Sequence, residues 1–247
     1  MAKKPRIAFF DFAGCEGCQI EFTNLGDEAI LELLNHVEIV EFREAMDETT
    51  ARPIDIALIE CSFTRERYRE RLMDIRRRSR VVISYGACSS TGGINALRNN
   101  MDDYHEVVYG DHATDPMVLS GPARPISSVI RVDYQVPGCP ADKNELISIL
   151  SQLLHGKKPV VSTYPVCVEC KRRGTVCRYD EGDYCMGQVA LSGCGAPCPA
   201  AGIPCEACRG FAADANLASL QKLLMERAGM SQSRAISKTR MFTANLR

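Results

Sequence analysis

The sequence predicts an α/β fold, a doubly wound parallel sheet, followed by a small irregular domain rich in cysteine. Three observations carry this prediction. Over residues 1–158, short β-branched runs alternate with stretches whose apolar residues recur at helical spacing. Past Lys157 that periodicity fades, and from 164 to 210 Gly, Pro and Cys dominate. Thirteen cysteines stand in a chain of 247 residues that is 45% hydrophobic and 25% charged, so a real core needs no disulfide staples. The net charge of −1 gives no reason to expect nucleic acid or an anionic surface as a partner. No apolar run approaches the roughly 20 residues of a membrane span. The N-terminal residues lack the small-residue cleavage site of a signal peptide, which reads as cytoplasmic.

Residues 6–12 read as a buried strand and lead into Gly14-Cys15-Glu16-Gly17-Cys18. Residues 20–35 carry Leu25, Ala29, Ile30, Leu33 and Leu34 at helical spacing, predicting one helix. Short strands follow at 37–42 and, after Pro53, at 54–60. Residues 64–80 form a helix with Tyr68, Leu72 and Ile75 on one stripe; its Arg76-Arg77-Arg78 run is a solvated face, because acids interleave upstream and no aromatic platform accompanies it. A fourth strand, 80–85, ends in Gly86-Ala87-Cys88. The following Gly92-Gly93 lacks the Gly-Lys-Ser/Thr of a phosphate loop. A fifth strand, 129–134, closes on Pro137-Gly138-Cys139-Pro140. Asp142, with Glu145 three residues on, reads as the cap of a helix that Gly156 ends. The order resembles a flavodoxin-like sheet. A last helix is expected over 214–228. The basic tail from 231 either lacks fixed structure or docks on another subunit.

In this fold the cysteines fall at strand ends: Cys15 and Cys18 after the first, Cys61 after the third, Cys88 after the fourth, Cys139 after the fifth. Open α/β sheets bind ligands outside the carboxyl ends of their strands, so these sulfurs share one rim. A further eight cysteines lie beyond Lys157, two sets of four in a segment with little core of its own, which must be folded by what it binds. Structural zinc takes four thiolates, and the knuckles Cys167–Cys170 and Cys205–Cys208 would serve. Iron–sulfur clusters take four as well. The pairs Cys139-Pro140 and Cys198-Pro199 and the existence of three four-sulfur sets favour iron–sulfur over zinc.

Taken together, the motifs Gly14-Cys15-Glu16-Gly17-Cys18, Gly86-Ala87-Cys88 with Gly92-Gly93-Ile94, and Pro137-Gly138-Cys139-Pro140 resemble the small-subunit signature of nickel–iron hydrogenases. The C-terminal runs Pro165–Cys170, Gly193–Pro199 and Pro204–Gly210 match too, in the manner of the cytoplasmic branch: sulfhydrogenase delta subunits and related NAD(P)- or deazaflavin-linked enzymes. The resemblance covers about residues 5–212. It implies an electron-transfer subunit whose nickel–iron centre lies in a separate large subunit and whose acceptor is a flavin- or iron–sulfur-containing subunit. It implies three 4Fe–4S clusters: a proximal one on Cys15, Cys18, Cys88 and Cys139 in a flavodoxin-like domain, 1–158, and two more in an iron–sulfur domain, 159–247. Linear grouping fits the family best, with Cys167, Cys170, Cys177 and Cys185 distal and Cys194, Cys198, Cys205 and Cys208 medial; interleaving, as in two-cluster ferredoxins, is the alternative. The rival readings are a zinc-stabilised scaffold and a complex I-like cluster subunit, which lacks the eight-cysteine extension.

Departures from the family pattern mark particular residues. Cys167 stands where many respiratory relatives use histidine, and Cys198 adds a fourth medial ligand. The twin-arginine leader of exported relatives is missing. Cys61 follows Glu60 where relatives commonly have Glu-Gly, so it is the leftover sulfur, an inert buried thiol or a neighbour that tunes the proximal cluster. Glu16 and Glu60 are candidate proton relays, against a surface-turn Glu16 and a structural Glu60. Gln19 cannot titrate.

Overall fold

The computed structural model describes residues 4–246. Five strands form one all-parallel sheet in the order β2-β1-β3-β4-β5: β1 is Arg6–Phe10, β2 Glu38–Glu41, β3 Ile54–Glu60, β4 Ser79–Tyr85 and β5 Tyr134–Val136. This is the flavodoxin order, with the chain reversing direction of growth between β1 and β3.

Side-chain alternation splits the core between the two faces. On one, Ile7, Phe9, Ile56, Leu58, Ile83 and Tyr85 pack with Phe22 of α1 (Gly17–Thr23) and with Leu146, Ile149 and Leu150 of α6 (Lys143–Leu154). On the other, Ala8, Phe10, Ala57, Ile59 and Val82 meet Leu72 and Ile75 of α3 (Arg69–Arg78) and the loop residues Ile126 and Ile130. Phe9 anchors the first face: its ring lies 4.3 Å from that of Phe42 and 4.7 Å from that of Phe22.

Three local readings are corrected. The single helix expected over 20–35 is two, α1 and α2 (Asp27–His36). Gly26 breaks it at φ +92, a conformation that costs glycine little. The fifth strand starts at Tyr134 rather than 129. Residues Ile126–Ser128 form a 3-10 turn, and Val129 and Ile130 pack as loop residues. Asp133 then bridges to β4, accepting from Val82 N at 2.8 Å through Oδ2 and donating its own N–H to Val82 O. The helix expected over 64–80 opens with a 3-10 turn, Glu66–Tyr68, before α3. Its arginines face acids: Arg76 pairs with Asp133 at 2.6 Å, and Arg77 and Arg78 pair with Asp74.

Past the fourth strand come the short α4 (Ala87–Thr91) and α5 (Tyr104–Tyr109). The C-terminal half contributes α7 (Val166–Arg172), α8 (Pro197–Ala200), α9 (Leu217–Ala228) and α10 (Gln232–Arg240). Its core gathers Val166, Met186, Val189, Leu220, Leu224 and Met230 around the thiol-bearing Cys205. The tail folds back on its own chain. Ala235 of α10 enters that core, Lys238 reaches Glu206 at 2.9 Å, and Asn245 donates to Thr91 O at 3.0 Å and Ala123 O at 2.9 Å. No helix among the described residues is long and apolar enough to cross a membrane.

Candidate functional site

The carboxyl rim of the sheet gathers the first set of sulfurs. Cys18 sits in the first turn of α1, with its Sγ against Gly86: a Cβ added there would lie 2.6 Å from it. The Ala141 N–H reaches the same sulfur at 3.4 Å. Gly93 leaves similar room for Cys88, since its Cβ would lie 2.7 Å from that Sγ, and a Cβ on Gly17 would come within 3.3 Å of Cys15 Sγ. The glycines after β1 and β4 therefore clear space around sulfur, where a phosphate loop would clear it around oxygen.

Electrostatics ties the four together. Burial pushes the Cys88 thiol up to about 12, reinforced by Cys139, Cys15 and Glu60. Cys139 is raised by burial and then by Cys15, and Cys18 by burial, Glu60 and Cys139. Such thiols stay protonated until a metal takes the proton's place.

Glu60, at the end of β3, is buried; its two oxygens accept from Cys18 N and Gln19 N, each at 3.0 Å. It satisfies two of the unpaired N–H groups that open α1 and so fixes the turn carrying Cys18. Burial raises its carboxyl pKa, while those two N–H groups pull the other way. Glu16 lies in the turn at φ +60, half-buried, its carboxyl raised by burial first and then by Glu44 and Asp11. Cys61 is buried at φ +73 against Gly14, where an added Cβ would collide with its sulfur. Burial followed by the charge of Glu60 raises its thiol pKa.

In the C-terminal half, burial and then the charges of Cys185, Cys170 and Cys177 push the Cys167 thiol up to about 11. Cys205 has Cys208 and Cys194 beside it, and Cys208 has Cys198. The sets adjoin at two places. Cys205 N donates to Cys185 Sγ at 3.3 Å, and Cys139 and Cys208 line one cavity. The knuckle Cys205–Cys208 thus meets the Cys167–Cys185 set at one end and shares a cavity with Cys139 at the other.

Sequence reasoning missed three residues that hold these loops. Glu169 accepts from Gly193 N at 2.9 Å and Gly195 N at 3.1 Å, gripping the Cys194 loop as Glu60 grips the Cys18 turn. Glu206 takes Lys238 and the Tyr184 hydroxyl. Arg209 bonds across to the rim loop. A signal was available for two of them: each of the three C-x-x-C pairs encloses a glutamate, Glu16, Glu169 or Glu206.

The donor set suits a sulfur-ligated iron cluster in its chemistry, all thiol with the cysteines free and glycines leaving room about the sulfurs, while no group of three or more described Cys, His, Asp or Glu side chains is arranged to hold a metal ion. Next to the ligand candidates Cys18 and Cys88, the buried Gln19 carboxamide and Ser89 hydroxyl have no partner among the described residues. Buried polar groups without partners are costly unless something else meets them.

The comparisons with known proteins give the class: a subunit of an oxidoreductase. The family described as NADH ubiquinone oxidoreductase, 20 Kd subunit, matches residues 15–153, more than half of the chain, and the chain belongs to that family, in its hydrogenase small-subunit branch. Over 222 residues it is 34% identical to sulfhydrogenase 2 subunit delta of Pyrococcus furiosus, covering 90% of this chain and 92% of the relative. It is 28% identical over 171 residues to NAD-reducing hydrogenase HoxS subunit delta of Cupriavidus necator, covering 62% of this chain and 80% of that one. Among solved structures, a chain of an NAD+-reducing [NiFe]-hydrogenase in the H2-reduced state superposes with a TM-score of 0.58 at 32% identity, over 64% of this chain and 95% of that one. A chain of the actinobacterial-type NiFe-hydrogenase from Ralstonia eutropha H16 gives 0.59 over 99% of this chain and 92% of that one; at 16% identity it speaks to the fold alone. The 20 Kd family match stops at residue 153, before the eight C-terminal cysteines, whereas the sulfhydrogenase match extends into them.

Proposed function

We propose that this chain is the electron-transferring small subunit of a cytoplasmic nickel–iron hydrogenase, with three 4Fe–4S sites. The proximal site is Cys15, Cys18, Cys88 and Cys139; the medial site is Cys194, Cys198, Cys205 and Cys208; the distal site is Cys167, Cys170, Cys177 and Cys185. Bound clusters would supply one-electron carriage between the nickel–iron site of a partner large subunit and a flavin- or iron–sulfur-containing acceptor subunit. The observation that supports the reading is the adjacency of the three thiol sets: Cys205 N donates to Cys185 Sγ, and Cys139 and Cys208 line one cavity.

The chain's own residues set the conditions for that carriage. Glu60 and Glu169 hold the turns that present Cys18 and Cys194. The N–H groups of Ala141 and Cys205 donate to ligand sulfurs, which stabilises added negative charge and raises reduction potential. Exposed Cys15 and Cys139 mark the face that a large subunit covers. Glu16, on that face and half-buried, is better placed than Glu60 to pass protons to a partner, because both Glu60 oxygens are committed to main-chain N–H groups. Thirteen free thiols suit a reducing compartment.

Anaerobic purification of the complex, with iron, sulfide, nickel and zinc analysis, tests the reading. About 12 irons per chain, from three four-iron clusters, with nickel on a co-purifying subunit is the expected result. Stoichiometric zinc without a reducible EPR signal would leave a zinc-stabilised scaffold instead.

A further inference from the structure

Arg209 is a buried side chain that bonds between the two halves of the molecule. It is 4% exposed, and every arm of its guanidinium is used: Nε donates to Ser192 O at 2.8 Å, Nη1 to Pro137 O at 2.6 Å, and Nη2 to Glu145 Oε1 at 2.8 Å. The second carboxylate oxygen of Glu145 lies 2.8 Å from Nη1 as an ion-pair contact outside hydrogen-bond alignment. Room for the pair is built in. Gly193 sits at φ +117, and a Cβ there would collide with the guanidinium and lie 2.5 Å from Glu145 Oε1.

Each partner is tied to a candidate ligand by the chain itself. Arg209 follows Cys208, Ser192 stands two residues before Cys194, and Pro137 stands two before Cys139. Glu145 belongs to the first turn of α6, which begins just past the Cys139 loop. Cys139, Cys194, Cys198, Cys205, Cys208 and Arg209 all line a common cavity of about 240 Å³. Asp142 caps α6 by accepting Glu145 N at 2.8 Å, but the Glu145 side chain turns away to Arg209 instead of closing the reciprocal half of a capping box.

A buried ion pair is weak evidence of stabilisation, because desolvation offsets much of the Coulomb attraction. Packing alone therefore does not account for an arginine here. What its geometry does achieve is to lock the Cys139 loop onto the Cys208 turn, because Arg209, next to Cys208, holds Pro137 O and Glu145 on either side of Cys139.

We propose that Arg209, held by Glu145, is a positioning residue for electron transfer between the proximal and medial sites, fixing the Cys139 loop against the Cys208 turn as the link between them. This rests on the cluster assignment above. The step moves one electron: the donor site is oxidised by one, the acceptor reduced by one, and no bond or proton changes hands. The guanidinium, next in the chain to a medial ligand, also favours the more negative, reduced form of that site, so it raises the medial potential.

The test uses the anaerobically purified complex carrying Arg209→Met, Arg209→Lys or Glu145→Gln, read by iron and sulfide content and by potentiometric EPR titration. The Met variant is expected to keep its iron, to shift the medial potential negative and to lose magnetic coupling between the medial and proximal signals. Lysine should restore the potential but not the coupling, because one ammonium cannot span Pro137 O, Ser192 O and Glu145 together. Unchanged potential and coupling in a fully loaded Met variant overturns the proposal. If that variant loses iron, Glu145→Gln decides: weakened coupling at full iron supports the role, and wild-type spectra overturn it. A wild-type complex without 4Fe–4S signals overturns the cluster assignment itself, a result distinct from any behaviour of the variants.

Discussion

The two halves of this chain place four-cysteine sets by opposite means. In the first, the sheet comes first: β1, β4 and β5 end at one rim, apolar side chains fill both faces, and the cysteines are passengers on strand ends. In the second, the thiols are part of the core. Cys205 is buried among Met186, Leu220 and Leu224, with Cys170, Cys185 and Cys194 packed around it, and the helices that carry cysteines, α7 and α8, span only 7 and 4 residues. Both halves share one habit. Among the described residues, the non-glycine residues at positive φ are Glu16, Cys61, Ala196 and Ala207; three lie between the cysteines of a motif and the fourth is itself a cysteine. Backbone strain is concentrated where sulfur must be aimed. The difference teaches that one site is attached to a fold, while the other sites help to make theirs.

Iron removal should break the comparison open most widely. Chelation of the loaded protein under reducing conditions is expected to abolish amide-exchange protection over 164–212 while β1, β3 and β4 keep theirs, as read by hydrogen-exchange mass spectrometry. Uniform loss across the chain would refute the contrast. Phe9→Ala attacks the other half, emptying an aromatic cluster at a cost of roughly 3–5 kcal/mol. A denaturation transition of the sheet that fails to move would show that the sheet does not rest on burial.

The paired carboxylates allow a finer comparison. Glu60→Ala leaves two buried N–H groups unpaired, and a loss of roughly 1–3 kcal/mol for each is expected. Glu169→Ala should cost less, because the N–H of Gly195, one of its two partners, lies in an exposed stretch that water can reach. Equal losses in chemical denaturation would mean that the two grips work alike. The smallest effect belongs to Cys61→Gly. It removes a buried sulfur but relieves a left-handed backbone at φ +73, so the net change should stay within about 1 kcal/mol. Cluster EPR spectra that differ from wild type would instead assign Cys61 a role at the proximal site.

Much of the first half was legible because strands buried on both faces write their own pattern. Ile54–Glu60 was read to the residue, and the Asp142 cap and the turn at Gly156 lie where the sequence put them. The break at Gly26 was hidden inside a continuous apolar stripe. The β5 boundary was obscured because Val129, Ile130 and Val132 bury themselves as loop residues with strand-like composition. The basic tail gave no sign that Lys238 would find Glu206 and Tyr184, or that Asn245 would reach Thr91 across 154 positions.

The amino-acid sequence by itself determined the sheet, the strand ends that carry Cys15, Cys18, Cys88 and Cys139, and the all-thiol chemistry of the donor set. These follow from local periodicity and from the rule that every parallel strand delivers its end to the same edge. Only the tertiary structure decided how the sulfur sets touch one another and which groups hold them there. Glu60 beneath Cys18, Glu169 beneath Cys194, and Arg209 locked to Glu145 and Pro137 join residues that lie 25 to 72 positions apart. Such contacts are fixed by the need of buried N–H groups and charges to find partners, and that need has no period along the chain.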